Sequence, residues 1–232
     1  MATRWGMVVD LRRCTGCQAC SVACKAENGV PLSVFRTWVK MIEKGRYPNV
    51  SLSFLPAFCN NCENPICVRN CPTQATYRRE DGIVMQDPHR CIGCKYCFAS
   101  CPYDVRYLDP LKRIVQKCTW CHHRVDAGLE PACVNACPTR ALIFGDINDP
   151  ESEIAKTLAS NAVQVLKPEK DTHPHVFYIG ADTVAMRTYG GGERKEEVIW
   201  WKWWLARLGL IGPREPVNTK APETQTNSSK AR

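Results

Sequence analysis

Sixteen cysteines dominate the chemistry available to this chain of 232 residues, and they fall into four groups of four. Cys14, Cys17, Cys20 and Cys24 follow the spacing C-x2-C-x2-C-x3-C, and Cys91, Cys94, Cys97 and Cys101 repeat it. Cys59, Cys62, Cys67 and Cys71 widen the second gap to four residues, while Cys118, Cys121, Cys133 and Cys137 widen it to eleven. Proline follows the last cysteine at Pro72, Pro102 and Pro138; after Cys24 the chain has Lys25 instead. Thiolates crowded this closely suit a cubane [4Fe–4S] cluster, which needs four sulfurs converging on one small, dry site. The chemistry on offer is therefore one-electron transfer.

A C-x2-C-x2-C loop can turn three sulfurs toward one centre and aim backbone N–H groups at inorganic sulfide. The fourth cysteine, with its proline, is expected where a helix begins; in two-cluster ferredoxins it ligates the other cluster of the pair. Gly16 and Gly93, each just before a ligand, allow close backbone approach without a Cβ clash. A disulfide framework suits small secreted proteins and does not suit thiols this tightly spaced. Zinc knuckles use C-x2-C pairs, often with histidine, and do not match a third cysteine at x2 followed by a Cys-Pro end. Four [4Fe–4S] clusters are the expectation.

The formal charge of +8 suggests nucleic acid or an anionic membrane when taken alone. Sixteen thiolates holding four oxidised cores of about 2+ each bring the loaded protein close to neutrality. The basic excess then reads as counter-charge for the clusters, with no nucleic-acid partner expected. Lys25, Arg90, Lys95 and Lys117 lie beside ligands and are expected to raise cluster potentials. His89, His122, His123, His173 and His175 have no metal or triad spacing, and no phosphate-cradling or dinucleotide glycine motif is present. No catalytic residue is expected, and His122-His123 are expected to line a loop beside a cluster or an interface.

Apolar runs fall short of the roughly 18 residues a membrane-spanning helix needs. The start, Met1-Ala2-Thr3-Arg4-Trp5-Gly6, lacks the pattern of a secretory signal, and Arg12-Arg13 is followed by Cys14 rather than an apolar region. Asp81-Gly82 predicts a hairpin between Thr76 and Met85. Pro72–Ala75 predicts the first turn of a short helix, and Pro138–Phe144 a helix followed by a strand. Phe35–Met41, Val50–Leu55 and Val176–Ile179 read as strands, and residues 150–166 as room for one helix. Gly190–Gly192 reads as a linker. Trp200, Trp201, Trp203 and Trp204 mark an amphipathic segment over 193–212, suited to docking at a membrane surface or on a membrane partner. Residues 213–232 read as a disordered tail.

Four such groups, with the fourth written Cys118-Thr119-Trp120-Cys121-His122-His123-Arg124 and continuing through Glu130-Pro131-Ala132-Cys133, resemble the iron–sulfur electron-transfer (beta) subunits of the molybdopterin oxidoreductases. Val30-Pro31, Phe35, Tyr47-Pro48-Asn49 and Cys62-Glu63-Asn64-Pro65 are most similar to the polysulfide and thiosulfate reductase branch, to which sulfite dehydrogenases are also similar. The resemblance implies an α+β fold of two ferredoxin-like modules with insertions and a C-terminal extension. One module takes residues 1–24 with 102–148, the other 59–101; 25–58 is an insertion and 149–192 an extension. It also implies the ligand sets: Cys14, Cys17, Cys20 and Cys137; Cys24, Cys118, Cys121 and Cys133; Cys59, Cys62, Cys67 and Cys101; Cys71, Cys91, Cys94 and Cys97. Trp120 lies between two retained cysteines, so four full cubanes are expected. The implied partners are a large molybdopterin catalytic subunit and a polytopic membrane subunit using quinone. The implied place is peripheral on the cytoplasmic membrane, on its cytoplasmic face or, with a signal-bearing partner, its periplasmic face. A soluble polyferredoxin, and a formate dehydrogenase or hydrogenase beta subunit, are the alternative readings; the widened fourth group and the tryptophan segment favour fixed partners.

Overall fold

The computed structural model describes residues 2–182 and 186. Its elements follow in chain order as β1 (Trp5–Asp10), α1 (Ala19–Glu27), β2 (Trp38–Arg46), β3 (Asn49–Ala57), α2 (Ile66–Arg69), β4 (Thr76–Arg78) and β5 (Val84–Gln86). Then come α3 (Tyr96–Ala99), β6 (Arg106–Leu108), β7 (Val115–Lys117), α4 (His122–Val125), α5 (Ala132–Asn135), β8 (Leu142–Asp146), α6 (Glu153–Ser160), β9 (Val163–Gln164) and β10 (Val176–Ile179). The fold is α+β. The Trp200–Trp204 segment and the 213–232 tail lie outside the described residues.

A four-stranded sheet of order β8-β1-β10-β9 carries the largest packed layer. Strand β1 sits inside it, antiparallel to β8 with Met7 opposite Phe144 and parallel to β10 with Met7 opposite Val176. Both faces are covered, which is why Met7-Val8-Val9 reads as an unbroken apolar run. The two-residue strand period still sorts the side chains. Met7, Val9, Leu142, Val176 and Tyr178 join the main core, whereas Val8, Ile143, Phe177 and Ile179 pack against Ile154 of α6. That helix starts where the Ser152 side chain accepts a hydrogen bond from Ala155 N–H at 3.2 Å. It stops at Ser160, short of the expected span to 166, because Asn161 is extended and β9 claims Val163 for the sheet.

Three antiparallel hairpins complete the scaffold. Strands β4 and β5 pair as Asp81-Gly82 predicts. The equivalent pair β6 and β7 turns at Asp109-Pro110, where the Asp109 carboxylate accepts from Leu111 and Lys112 N–H, each at 2.9 Å. The two strand-like runs of the 25–58 stretch form the long hairpin β2–β3, in register from Trp38 opposite Ala57 to Arg46 opposite Asn49. Its base is buried at Val39, Leu55 and Ala57, while Tyr47, Val50 and Leu52 near its tip are exposed.

One local expectation is corrected. Pro72, Pro102 and Pro138 do not open helices; each begins a turn that ends in a left-handed residue, at Gln74, Asp104 and Arg140. The helical turns lie before the fourth cysteine, with Cys67 in α2, Cys97 in α3 and Cys133 in α5. A positive φ three residues past the cysteine ends any helix that proline might start.

Candidate metal centres

The cysteine loops are shaped by left-handed backbone at fixed places. Gly16 and Gln18 in the first group, with φ of 71° and 62°, match Gly93 and Lys95 in the third, at 68° and 64°. An alanine Cβ at Gly16 would lie 2.3 Å from the Phe54 ring, and one at Gly93 would lie 2.7 Å from the Arg113 carbonyl oxygen. Glycine is needed there for its conformation and for that close approach.

Two cavities are ringed by cysteines from distant parts of the chain. One is lined by Cys14, Cys17, Cys20 and Cys137, with Gln18, Val39, Pro56 and Leu142 among its other walls. The β2–β3 hairpin is thus a wall of this cavity. It is clamped there by Gln18, whose side chain donates to Val39 O at 3.1 Å and accepts from Val39 N–H at 3.2 Å. The second cavity is lined by Cys59, Cys62, Cys67 and Cys101, with Tyr103, Arg106 and Thr172. Among the described residues no three His, Cys, Asp or Glu side chains converge as a single metal ion requires. Four cysteines ringing one cavity suit an inorganic body held by several thiolates, and a cubane matches that donor set.

The other eight cysteines form two further neighbourhoods. Cys24, Cys118, Cys121 and Cys133 are all buried, and the Cys24 thiol feels Cys118 and Cys121 while Cys133 feels Cys118, Cys24 and Cys121. Asn28 donates toward Cys121 Sγ at 3.5 Å and Cys24 Sγ at 3.8 Å, and is itself held by Arg36 at 2.8 Å from its Oδ1. Trp120 is 1% exposed, and its backbone N–H donates to Cys118 Sγ at 3.4 Å. In the fourth neighbourhood Cys97 feels Cys67 of the second cavity as well as Cys71 and Cys91, and Cys94 lies on the exposed loop before α3.

Burial controls the thiols. It raises Cys20, Cys101 and Cys118 to about 11 and Cys62 to about 12, with neighbouring sulfurs adding to the rise. Cys71 and Cys137 are shifted the other way. Burial alone would raise both, but Thr76 N–H reaches Cys71 Sγ at 3.5 Å and Ala141 N–H reaches Cys137 Sγ at 3.3 Å. The hydroxyls of Thr73 and Thr139 lie 3.7 Å from the same sulfurs and help hold them low. These threonines were visible as the repeated Cys-Pro-Thr of two groups. Asn28, Arg36 and Arg106 carried no comparable signal.

The cations expected to tune the clusters behave differently from one another. Lys117 is buried, donating to Cys118 O at 2.7 Å, and its charge lowers the Cys118 thiol against the effect of burial. Lys25 is spent on the loop that follows α1, donating to Val34 O at 2.7 Å and lying over the Phe35 ring. His123 pairs with Glu27 at 2.8 Å, and His122 is half-buried beside Thr119. Arg90 and Lys95 stand in the exposed stretch around Cys91 and Cys94.

A ferredoxin-like cysteine scaffold of this kind defines a 4Fe–4S protein. Residues 50–147 match the family model of a 4Fe-4S dicluster domain, and residues 5–26 that of a 4Fe-4S binding domain. The sequence is 47% identical over 201 residues to the B subunit of tetrathionate reductase from Salmonella typhimurium, covering 85% of this protein and 80% of the relative. It is 45% identical over 182 residues to the B subunit of polysulfide reductase from Wolinella succinogenes, covering 77% and 95%. The B subunit of sulfite dehydrogenase from Allochromatium vinosum is 39% identical over 199 residues, covering 76% and 83%. The protein belongs to the family of iron–sulfur electron-transfer B subunits of the molybdopterin oxidoreductases.

Proposed function

We propose that this subunit holds four [4Fe–4S] clusters and relays electrons between a molybdopterin catalytic subunit and a quinone-reactive membrane subunit, in a complex acting on a sulfur compound such as polysulfide, thiosulfate, tetrathionate or sulfite. The ligand sets are Cys14, Cys17, Cys20 and Cys137; Cys24, Cys118, Cys121 and Cys133; Cys59, Cys62, Cys67 and Cys101; and Cys71, Cys91, Cys94 and Cys97. The observation that carries the reading is the mixing of distant cysteines: Cys137 lines the cavity of the first group, and Cys101 that of the second. Each crossing ties one cysteine group to another, so cluster assembly and folding are coupled. This supports two ferredoxin-like modules, one from residues 1–24 with 102–148 and the other from 59–101, with an extension over 149–192.

The four sets also have neighbours. Cys20 is felt by Cys24 and Cys133, Cys59 by Cys118, and Cys67 by Cys97. That supports a row running from the Cys14 set through the Cys24 and Cys59 sets to the Cys71 set. Exposed cysteines, Cys17 and Cys94, belong to its two ends, where electrons would enter and leave. When bound, each cluster supplies one-electron chemistry at a potential set by hydrogen bonds, nearby charge and exposure. The residues around the cavities exclude water, hold the sulfurs and set those surroundings.

No helix among the described residues is long and apolar enough to cross a membrane. In this reading, attachment at the cytoplasmic membrane belongs to partner subunits and to the Trp200–Trp204 segment. Anaerobic purification tests the reading. The expected result is about sixteen irons per chain and co-purification with a molybdenum subunit. Colourless protein, or an iron content far below that, overturns it.

A further inference from the structure

One buried cation stands between two cysteine groups with no oxygen or nitrogen to balance it. Arg106 opens β6, five residues after Cys101. The same place after Cys71 and Cys137 holds Thr76 and Leu142, and all three side chains are buried. Arg106 is 4% exposed, and neither Nη1 nor Nη2 has a hydrogen-bond partner. It lines the cavity of Cys59, Cys62, Cys67 and Cys101. The sulfurs in its field are Cys67 and Cys59 of that set and Cys97 of the neighbouring one. Lys117, the other buried cation, is satisfied by neutral acceptors at Cys118 O and Asn61 Oδ1. The Arg106 side chain reaches the Cys67 sulfur, yet both Nη groups stay buried without an acceptor, which is costly, so they point to a further anionic partner at this place.

We propose that Arg106 is a positioning cation shared by two iron–sulfur clusters, its N–H groups turned to sulfur of the Cys59 set and of the Cys71 set, so that one charge raises the electron affinity of both. The proposal rests on the ligand sets given above. A reduced cluster carries one more negative charge than an oxidised one, and a fixed cation in a low-dielectric site favours that state. Guanidinium suits the task because it stays charged at any working pH and offers five donors in a planar fork, enough to face two clusters. Lifting two adjacent stations together keeps them matched with each other and draws electrons toward this end of the row.

The test is redox-titrated EPR on the anaerobically purified full-length protein with its partners, comparing wild type, Arg106→Met, Arg106→Gln and Arg106→Lys. Wild type is expected to resolve four one-electron components. In the Met and Gln variants two components should bind their electron about tenfold less tightly, equivalent to about 59 mV downward for a one-electron couple, while the other two stay in place. The Lys variant should restore most of the shift. Four wild-type components that are all unmoved in Met and Gln overturn the proposal alone, as does a Lys variant shifted as far as Met. Fewer than four components in wild type overturn the cluster reading and this proposal with it. Should Met and Gln lose iron from the pair, Lys decides: retained iron at near-wild-type potentials supports a need for charge, and lost iron overturns it.

Discussion

Replacing His175 with glutamine isolates one acid-sensitive joint in the scaffold. The side chain is only 5% exposed, beneath Arg4, Glu63 and Arg78. Its Nε2 accepts from Arg4 Nε at 3.3 Å and lies 3.2 Å from Glu63, whose carboxylate also pairs with Arg4 and Arg78. Burial first, then the two guanidiniums, push its pKa down from 6.5 to about 4. A histidine with a depressed folded pKa is neutral in both states above pH 6.5. Below that the unfolded chain takes the proton first, so stability is lost as pH falls from 6.5 toward 4. A difference of about 2.5 units at 1.36 kcal/mol each amounts to about 3 kcal/mol. Anaerobic guanidinium denaturation at pH 7, 6, 5 and 4, followed by tryptophan fluorescence and cluster absorbance, measures it. Wild type should lose about 3 kcal/mol more than His175→Gln across that range, which separates this site from the carboxylates that titrate in both proteins. A difference between the two proteins that does not change with pH refutes the reasoning.

Gly16→Ala should destabilise by roughly 1–3 kcal/mol and lower iron occupancy, since the added Cβ meets Phe54 in a left-handed conformation; iron assay and denaturation check both. Thr139→Val and Thr73→Val should each leave iron content unchanged and lower one EPR component, by up to roughly 59 mV for about 1.4 kcal/mol of lost hydrogen bonding. Trp120→Ala, in the core against Phe144 at 5.4 Å between ring centres, should cost about 3–5 kcal/mol in denaturation. Deleting residues 193–212 should release a fraction of the complex from membranes on sedimentation; full retention sinks the docking role of Trp200, Trp201, Trp203 and Trp204.

The cysteine groups were legible because ligand spacing is a local code. So were the Asp81-Gly82 hairpin and strand Val176–Ile179, where turn chemistry and an apolar run act within a few residues. The turns after Pro72, Pro102 and Pro138 were misread: proline fits a helix start, and only the left-handed Gln74, Asp104 and Arg140 end it. The role of the β2–β3 hairpin could not be read either. Its strand pattern was visible, but its place as a wall of the Cys14 cavity depends on Gln18 reaching Val39 and on Phe54 packing against Gly16 across the fold. Arg106 was hidden because an arginine in a short strand ordinarily faces solvent. Only aligning the three Cys-Pro repeats marks its position as one that Thr76 and Leu142 fill from inside.

Strand β1 is made before the strands it pairs with, and both of them, β8 and β10, lie more than 130 residues downstream. The first cavity waits nearly as long for Cys137. During synthesis the leading cysteines are thus open thiols on an unfinished wall, exposed to oxidants and stray metals. Cluster delivery to this site belongs after Val176–Ile179 has been made, and a truncation before Val176 leaves the site half-built.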